Sequence, residues 1–231
     1  MMQELATESV FFGAVISLLC YEVGLACKKR VKSPLINTLL IAIALVSLFL
    51  AVFGIDYATY YDGAKYISYL LTPATVSLAV PLYRQFALLK KERAAIFAGL
   101  LSGVISGLTS ILLCAKLLRL DYEMYVTLLP KSITTAIGME LSDKMGGIVT
   151  ITVMAIAITG ILGNMMAETI LKLFRITEPV AKGLAIGCAS HAMGTARAME
   201  IGEVEGAMSS LSIVVTGLLT VIGVSVFAGL Y

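Results

Sequence analysis

Long apolar stretches, separated by short polar ones, dominate the pattern of this chain. Five of these stretches run without interruption, at residues 9–26, 34–53, 94–115, 147–171 and 207–230. The hydrocarbon core of a bilayer is about 30 Å thick and needs about 20 helical residues per crossing. The pattern therefore predicts five uninterrupted membrane-spanning helices.

Three further stretches are apolar but interrupted, at residues 66–83, 124–146 and 179–206. They contain proline, paired glycines, hydroxyls and ionic residues. A backbone break at membrane depth is tolerated only where protein or a water-filled cavity covers it. We therefore expect these stretches to form broken or re-entrant helices that line the interior of the protein.

The composition agrees with a membrane protein. Hydrophobic residues make up 59% of the 231 residues and charged residues 14%, against about 45–50% and 25% in an average soluble domain. We expect one membrane domain over residues 1–231. The formal net charge of +2 is too small to indicate nucleic-acid binding, and the four scattered cysteines, which form no C-x-x-C pair, are expected to be free thiols.

Basic residues in short loops predict the orientation in the membrane. The loops around residues 28–32, 84–93 and 172–175 carry lysine and arginine and should be cytoplasmic, whereas Asp56 and Asp62 should face outward. Residues 124–146 would then enter and leave from outside, and residues 179–206 from the cytoplasm. The C-terminal Tyr231 is expected outside.

A short motif repeats between these two interrupted stretches. Thr135-Ala136-x-x-Met139-Glu140 recurs 60 positions later as Thr195-Ala196-x-x-Met199-Glu200. Inverted repeats that meet at broken helices are the architecture of many secondary transporters. The predicted fold is thus an all-α, polytopic helical bundle with broken or re-entrant helices, built as an inverted repeat like a transporter.

The first interrupted stretch contains Thr72 followed by Pro73. This is the pairing typical of an N-cap and a first helical residue. It predicts a helix that begins inside the membrane, with unpaired amides that suit an anion and with Thr75 and Ser77 nearby. The alternative is a proline kink packed by its neighbours.

The second stretch places Pro130 at a predicted helix start, followed by Lys131, Ser132, Thr134 and Thr135. The cation and hydroxyls could face a bound anion. Alternatively, Lys131 extends to water at the outer face, as most membrane lysines do. Glu140 would then be a charge at the rim of the hairpin.

The third stretch holds Ser190, the single histidine His191, Gly194, Thr195 and Arg197. An intramembrane charge costs at least about 2.5 kcal/mol on insertion scales, so an arginine here is expected to have a use. The functional reading gives Arg197 an anionic ligand. The structural alternative is an ion pair of Arg197 with Glu200 or Glu140 that fastens the hairpin.

These stretches carry a family resemblance. It rests on three runs that stand in order along the chain: LLTPATVSLAVPLYRQ, LPKSITTAIGMELSDKMGG and ASHAMGTARAMEIGEVEGAMSSLS. They resemble the signature segments of the LrgB family, also called CidB-like or YohK-like inner-membrane proteins, over nearly the whole chain. The family is described as holin-like or antiholin-like, acting beside a small LrgA-type membrane protein on murein hydrolase activity and cell lysis. It also resembles the C-terminal half of the plant plastid glycolate/glycerate translocator, and some bacterial relatives move pyruvate.

We expect from this resemblance a transporter or facilitator of small carboxylates of the glycolate, glycerate and pyruvate class. The expected substrate-binding residues are Pro73, Thr75, Ser77, Lys131, Ser132, Thr134, Thr135, Ser190, His191, Gly194, Thr195 and Arg197. Glu140 and Glu200 are expected to serve in coupling or as ion-pair partners. The alternative function is a holin-like or antiholin-like regulator of murein hydrolase activity and lysis.

An enzyme is not expected, because one histidine, no H-E-x-x-H motif and no serine–histidine–acid set leave no catalytic or metal-binding group. We expect no cofactor. The expected partners are the lipid bilayer, an LrgA/CidA-like small membrane protein, the carboxylate and a second copy in a homodimer. The expected location is the bacterial inner membrane, crossed several times.

Overall fold

The computed structural model describes residues 9–30, 38–77 and 79–231, with the backbone alone for Leu71, Thr75 and Leu82. Its described residues form helices, turns and loops and contain no strand, which confirms the all-α prediction. The chain divides into two compact units, Met1–Ser77 and Leu78–Tyr231. The prediction of one membrane domain over residues 1–231 stays a prediction.

The described residues of the first unit form four helices: α1 Phe12–Arg30, α2 Thr38–Phe53, α3 Tyr57–Ser68 and α4 Leu71–Ser77. Those of the second unit form eight: α5 Ala79–Arg84, α6 Phe86–Lys91, α7 Arg93–Leu118, α8 Tyr122–Leu128, α9 Thr135–Lys144, α10 Val149–Leu173, α11 Pro179–Ile201 and α12 Glu203–Phe227. A 3₁₀ turn, Ala228–Leu230, follows α12.

In the first unit, α1 packs closely against α2 and α3 because glycines stand at both contacts. A Cβ atom on Gly24 would lie 2.6 Å from the carbonyl oxygen of Thr38 in α2. Ser17 of α1 and Tyr60 of α3 share a hydrogen bond of 2.7 Å between their hydroxyls. Asp56 caps α3 by accepting a hydrogen bond of 2.9 Å from the amide of Ala58.

Three helices of the second unit are long and apolar enough to cross a membrane, namely Arg93–Leu118, Val149–Leu173 and Glu203–Leu230. They correspond to three of the five predicted spans. Helix α2 is apolar but has 16 residues, and residues 31–37 before it lie outside the described part. The predicted spans at residues 9–26 and 34–53 therefore stay predictions.

The first hairpin, residues 122–144, consists of α8, a loop and α9. Asp121 caps α8 through a hydrogen bond of 2.7 Å from the amide of Met124. Thr152 of α10 reaches both arms: its Oγ1 lies 2.9 Å from the carbonyl oxygen of Thr127 and 2.7 Å from Ser142 Oγ. Because Thr127 and Ser142 contact the same residue, the chain between them turns back on itself.

The second hairpin, residues 179–201, is α11 broken in its middle. Ser190 (φ −134°, ψ 16°) and His191 (φ 42°, ψ −135°) leave the helical conformation. Before the break, a Cβ on Gly183 would lie 2.7 Å from Met208 Cβ of α12. After the break, Thr195 Oγ1 lies 2.7 Å from Ser209 Oγ of the same helix, so both arms lie beside the first half of α12.

The two hairpins enter the second unit from opposite ends. The first begins near the end of α12, where the hydroxyl of Tyr125 donates to the carbonyl of Phe227 at 2.9 Å. The second begins near the start of α12, where Lys182 pairs with Glu205 at 3.8 Å. Their tips, residues 129–134 and Ser190–His191, thus point toward each other.

Two predicted helix starts are wrong. Helix α4 begins at Leu71 and not after Thr72, because proline is tolerated throughout a first turn, where its missing N–H has no partner anyway. The helix expected at Pro130 begins at Thr135 instead, since Pro130 lies in the turn that follows α8.

Candidate functional site

A cavity of about 1150 Å³ lies within the second unit. Its walls come from α7, the tip of the first hairpin, the first arm of the second hairpin and α12. Near the start of α7 the wall carries Lys91, Glu92 and Glu178. Beside the middle of α7, six polar side chains line it: Ser106, Ser110, Lys131, Ser132, Thr216 and Thr220. The remaining walls are largely aliphatic or glycine.

Close approach of the backbone shapes the α7 wall. Gly99, Gly103 and Gly107 recur at every fourth position and all line the cavity, because residues four apart share one face of a helix. At Gly103 a Cβ would lie 2.6 Å from Cys188 Sγ, whereas at Gly107 it would meet no atom within 4 Å. The cavity therefore broadens toward Gly107.

Lys131 supplies the cation at this broader end. Its side chain is half-buried, and Nζ donates a hydrogen bond of 3.0 Å to Ser132 Oγ. Within residues 9–30, 38–77 and 79–231 it forms no ion pair with a carboxylate. This position agrees better with the interpretation in which Lys131 faces a bound anion in the interior than with the one in which it extends to water at the outer face.

The hydroxyls of the cavity differ in how they are satisfied. Ser106 and Ser110 donate to the carbonyls of Gly103 and Gly107, at 3.0 Å and 2.7 Å. Thr216 donates to the carbonyl of Ser212 at 2.5 Å. Thr220 is 5% exposed and makes no hydrogen bond with any residue that the structure describes.

The break in α11 is held by buried side chains. His191 Nε2 lies 3.1 Å from the carbonyl oxygen of Ile156, and since a carbonyl only accepts, the imidazole is the donor. Thr195 Oγ1 lies 3.0 Å from the carbonyl of His191, and Asn164 Nδ2 donates to the carbonyl of Met193 at 2.7 Å. The bonds of Thr195 and Asn164 pair carbonyls of α11 beside the break, and the bond of His191 ties the break to α10.

Arg197 lies in a different place. Its guanidinium pairs with Glu168 of α10 and with Glu200 one turn further along α11. It lines a second cavity, of about 650 Å³, together with Lys172, Arg175 and Lys182. The ion pair of Arg197 with Glu200, which the sequence suggested as the structural alternative, is thus observed. Glu168 is a second partner, which the sequence did not suggest.

The structure divides the predicted site residues among several places. Lys131 and Ser132 line the large cavity. Ser190, His191, Gly194 and Thr195 are buried around the break in α11, whereas Thr134 precedes α9 as its N-cap and Thr135 is exposed. Glu140 is exposed and pairs with Lys144 at 2.7 Å instead of Arg197. Pro73 and Ser77 belong to the first unit and are exposed, and the side chain of Thr75 lies outside the described part.

Sequence reasoning also missed Thr216 and Thr220. Their signal is present in the chain, because Ser212, Thr216 and Thr220 recur at every fourth position of an otherwise apolar helix. Such spacing places three hydroxyls on one face. All three are buried.

Comparison with known proteins gives close relatives. The LrgB-like family matches residues 17–230. The chain is 38% identical to the antiholin-like protein LrgB of Bacillus subtilis (strain 168), over 97% of this chain and 98% of that protein. It is 37% identical to the antiholin-like protein LrgB of Bacillus mycoides (strain KBAB4), over 96% and 97% of the two chains. No solved structure matches this chain.

These names correct the predicted function. The relatives are named antiholin-like proteins, so the main expectation of a carboxylate transporter is wrong and the names agree with the alternative. The substrate-binding role expected for Arg197 depended on that function, and two carboxylates of the protein already pair with this side chain. The length of the family match and the identity over nearly the whole chain show that the protein belongs to the LrgB-like family.

Proposed function

We propose that this protein is an antiholin-like protein that crosses the bacterial inner membrane several times and restrains cell lysis. The observation that carries the proposal is the identity of 38% to an antiholin-like protein over 97% of the chain. An antiholin acts inside the membrane, and the three long apolar helices provide the spans that this role requires. The proposed role is not enzymatic.

The packing of the second unit supports a structural role at membrane depth. Six buried or half-buried polar side chains around the two hairpins bond to backbone carbonyls or to each other, so broken helices are stabilised from within. Unsatisfied backbone groups in lipid cost several kcal/mol each. A rigid scaffold of this kind suits a protein that holds a partner in one state.

We infer that the two hairpin-and-helix units are inverted copies. The support is that the hairpins meet opposite ends of α12, at Phe227 and at Glu205. We also propose an LrgA/CidA-like small membrane protein as partner and a homodimer as the resting state. Helices α10 and α12 offer exposed apolar ridges to such neighbours or to lipid, with Ile158 54% and Leu218 64% exposed.

The test is a lysis assay in a bacterium that carries this gene beside the gene of the small partner. We expect deletion to accelerate lysis after membrane depolarisation and to raise murein hydrolase activity in the medium, and the wild-type gene to restore both. A useful loss-of-function variant is Gly187→Leu, because its side chain would enter the backbone of α12 at Ser209. Gly107→Ala, with no atom in its way, is the matched control.

The proposal fails if cells with and without the protein lyse at the same rate at equal levels of the partner. It also fails if Gly187→Leu, shown by blotting to be absent from the membrane, restores lysis control as well as the wild type. Equal levels of the Gly107→Ala and wild-type proteins make the comparison interpretable.

A further inference from the structure

Beside the middle of α7, the large cavity of the second unit carries one cation among hydroxyls and aliphatic side chains. Lys131 is its charged group beside the middle of α7, and its single hydrogen-bond partner in the described part of the chain is Ser132 Oγ. A lone ammonium in an apolar setting is costly unless an opposite charge or several acceptors accompany it. In the described part of the chain, one hydroxyl accepts a hydrogen bond from this ammonium.

The hydroxyl of Thr220 provides a second, independent observation. It lines the same cavity from α12, is 5% exposed, and makes no hydrogen bond within the described part of the chain. Its neighbour one turn earlier, Thr216, donates to a backbone carbonyl in the way that threonines in helices usually do. The side chain of Thr220 is packed among its neighbours, but its hydroxyl oxygen is open to the cavity, so a ligand there can accept a hydrogen bond from it.

We propose that this cavity binds a small monovalent inorganic anion of the chloride class, held by the ammonium of Lys131 with the hydroxyl of Thr220. One cation balances one negative charge, whereas a dianion such as sulfate would leave a net charge inside apolar walls. A lysine is a point charge and not a planar fork. It therefore suits a spherical ion, which needs no paired donors.

The shape of the cavity provides a route for such an ion. The wall extends along α7 from Glu92, just before the helix, to Ile111. At a rise of 1.5 Å per residue this distance is roughly 30 Å. Lys91 stands at the same end as Glu92 and Glu178 and pairs with Glu92 at 3.9 Å, so one of the two carboxylates there is partly neutralised. An anion entering from this end passes glycines and aliphatic side chains before it reaches Lys131.

The experiment measures chloride binding by the line broadening of the chloride NMR signal, with the purified full-length protein in detergent. We expect an excess linewidth that saturates with chloride and is displaced by bromide but not by sulfate at equal ionic strength. Lys131→Gln should weaken the affinity by roughly ten- to a hundredfold, as loss of a charged hydrogen bond does. The matched control is Lys116→Gln, an exposed lysine at the end of α7 outside the cavity, which should bind like the wild type.

Thr220→Val tests the second group with little change in shape and should weaken the affinity by roughly two- to tenfold. It decides the matter if Lys131→Gln elutes as aggregate on gel filtration. Equal broadening by the wild type and a folded Lys131→Gln protein would overturn the proposal, as would displacement of chloride by sulfate. Unchanged affinity in Thr220→Val would remove Thr220 from the site and overturn the proposal as stated.

Discussion

The close contact between the second hairpin and α12 makes Gly187→Ala an informative perturbation. A Cβ atom at Gly187 would lie 2.5 Å from the carbonyl oxygen of Ser209, 2.8 Å from Ser209 Cα and 2.7 Å from Ser212 Cβ. Two of these three atoms belong to the backbone, which cannot rotate away as a long side chain does. The added methyl must therefore separate the first arm of α11 from α12.

The loss of stability in Gly187→Ala is estimated by comparison with Gly107→Ala, whose methyl meets no atom within 4 Å. Both glycines lie inside helices, so each substitution gains about 1 kcal/mol in helix propensity, and this gain cancels between the two variants. The difference that remains is overpacking, which costs typically about 1–3 kcal/mol. For a chain of this size we expect Gly187→Ala to melt roughly 2–12 °C below Gly107→Ala.

The assay is thermal unfolding of the two variants and the wild type in detergent, followed by the helical circular dichroism signal. Gly107→Ala should melt at or above the wild-type temperature. If Gly187→Ala melts together with Gly107→Ala, the two helices are not in the contact described, and the folding of residues 179–201 into a hairpin beside α12 is refuted.

Two further predictions concern Arg197 and the C-terminus. Arg197→Gln should lower the free energy of unfolding by about 1–3 kcal/mol, between the values for exposed and buried pairs, because this 27% exposed side chain has two carboxylate partners. The control is Lys144→Gln, from a pair about 70% exposed, which should cost less than about 1 kcal/mol in the same unfolding assay. Equal losses in the two variants would show that the ion pairs of Arg197 do not stabilise the fold. A reporter fused after Tyr231 should lie outside the cytoplasm. Tyr231 donates a hydrogen bond to the carbonyl of Leu120, just beyond the end of α7, and the basic residues at the start of α7 are expected in the cytoplasm. A cytoplasmic reporter would contradict this orientation.

The sequence was sufficient for the elements whose signal is local. Apolar runs of more than 20 residues predicted α7, α10 and α12, because burial in lipid requires such runs whatever surrounds them. Proline, glycine and polar residues marked the two interrupted stretches of the second unit, but they did not locate the break at Ser190 and His191, and the first helical residue after Pro130 was misplaced by several positions. Helix starts depend on backbone bonds that several nearby residues satisfy equally well.

The pairing of side chains could not be predicted in the same way. The sequence suggested two acidic partners for Arg197, Glu140 and Glu200, which both lie in the repeated motif. The structure adds Glu168, which lies 29 positions away in α10. That choice depends on how the second arm of α11 lies along α10, which is set by glycine contacts such as that between Gly163 and Ser190.

The 60-residue offset of the repeated motif also relates two contacts. Thr127 of the first hairpin contacts Thr152 of α10, and Gly187 of the second hairpin contacts Ser212 of α12. The second arms differ, because α11 resumes its helix directly after His191, whereas the first hairpin has loop until Thr135.

Lys131 and His191, which stand at the tips of the two hairpins, are also 60 residues apart. The longer helical arm seats His191 against the carbonyl of Ile156, where it fastens the break. The loop of the first hairpin leaves Lys131 in the cavity beside one hydroxyl. One of these two basic side chains thus holds the fold, and the other is the one that we propose to bind a ligand.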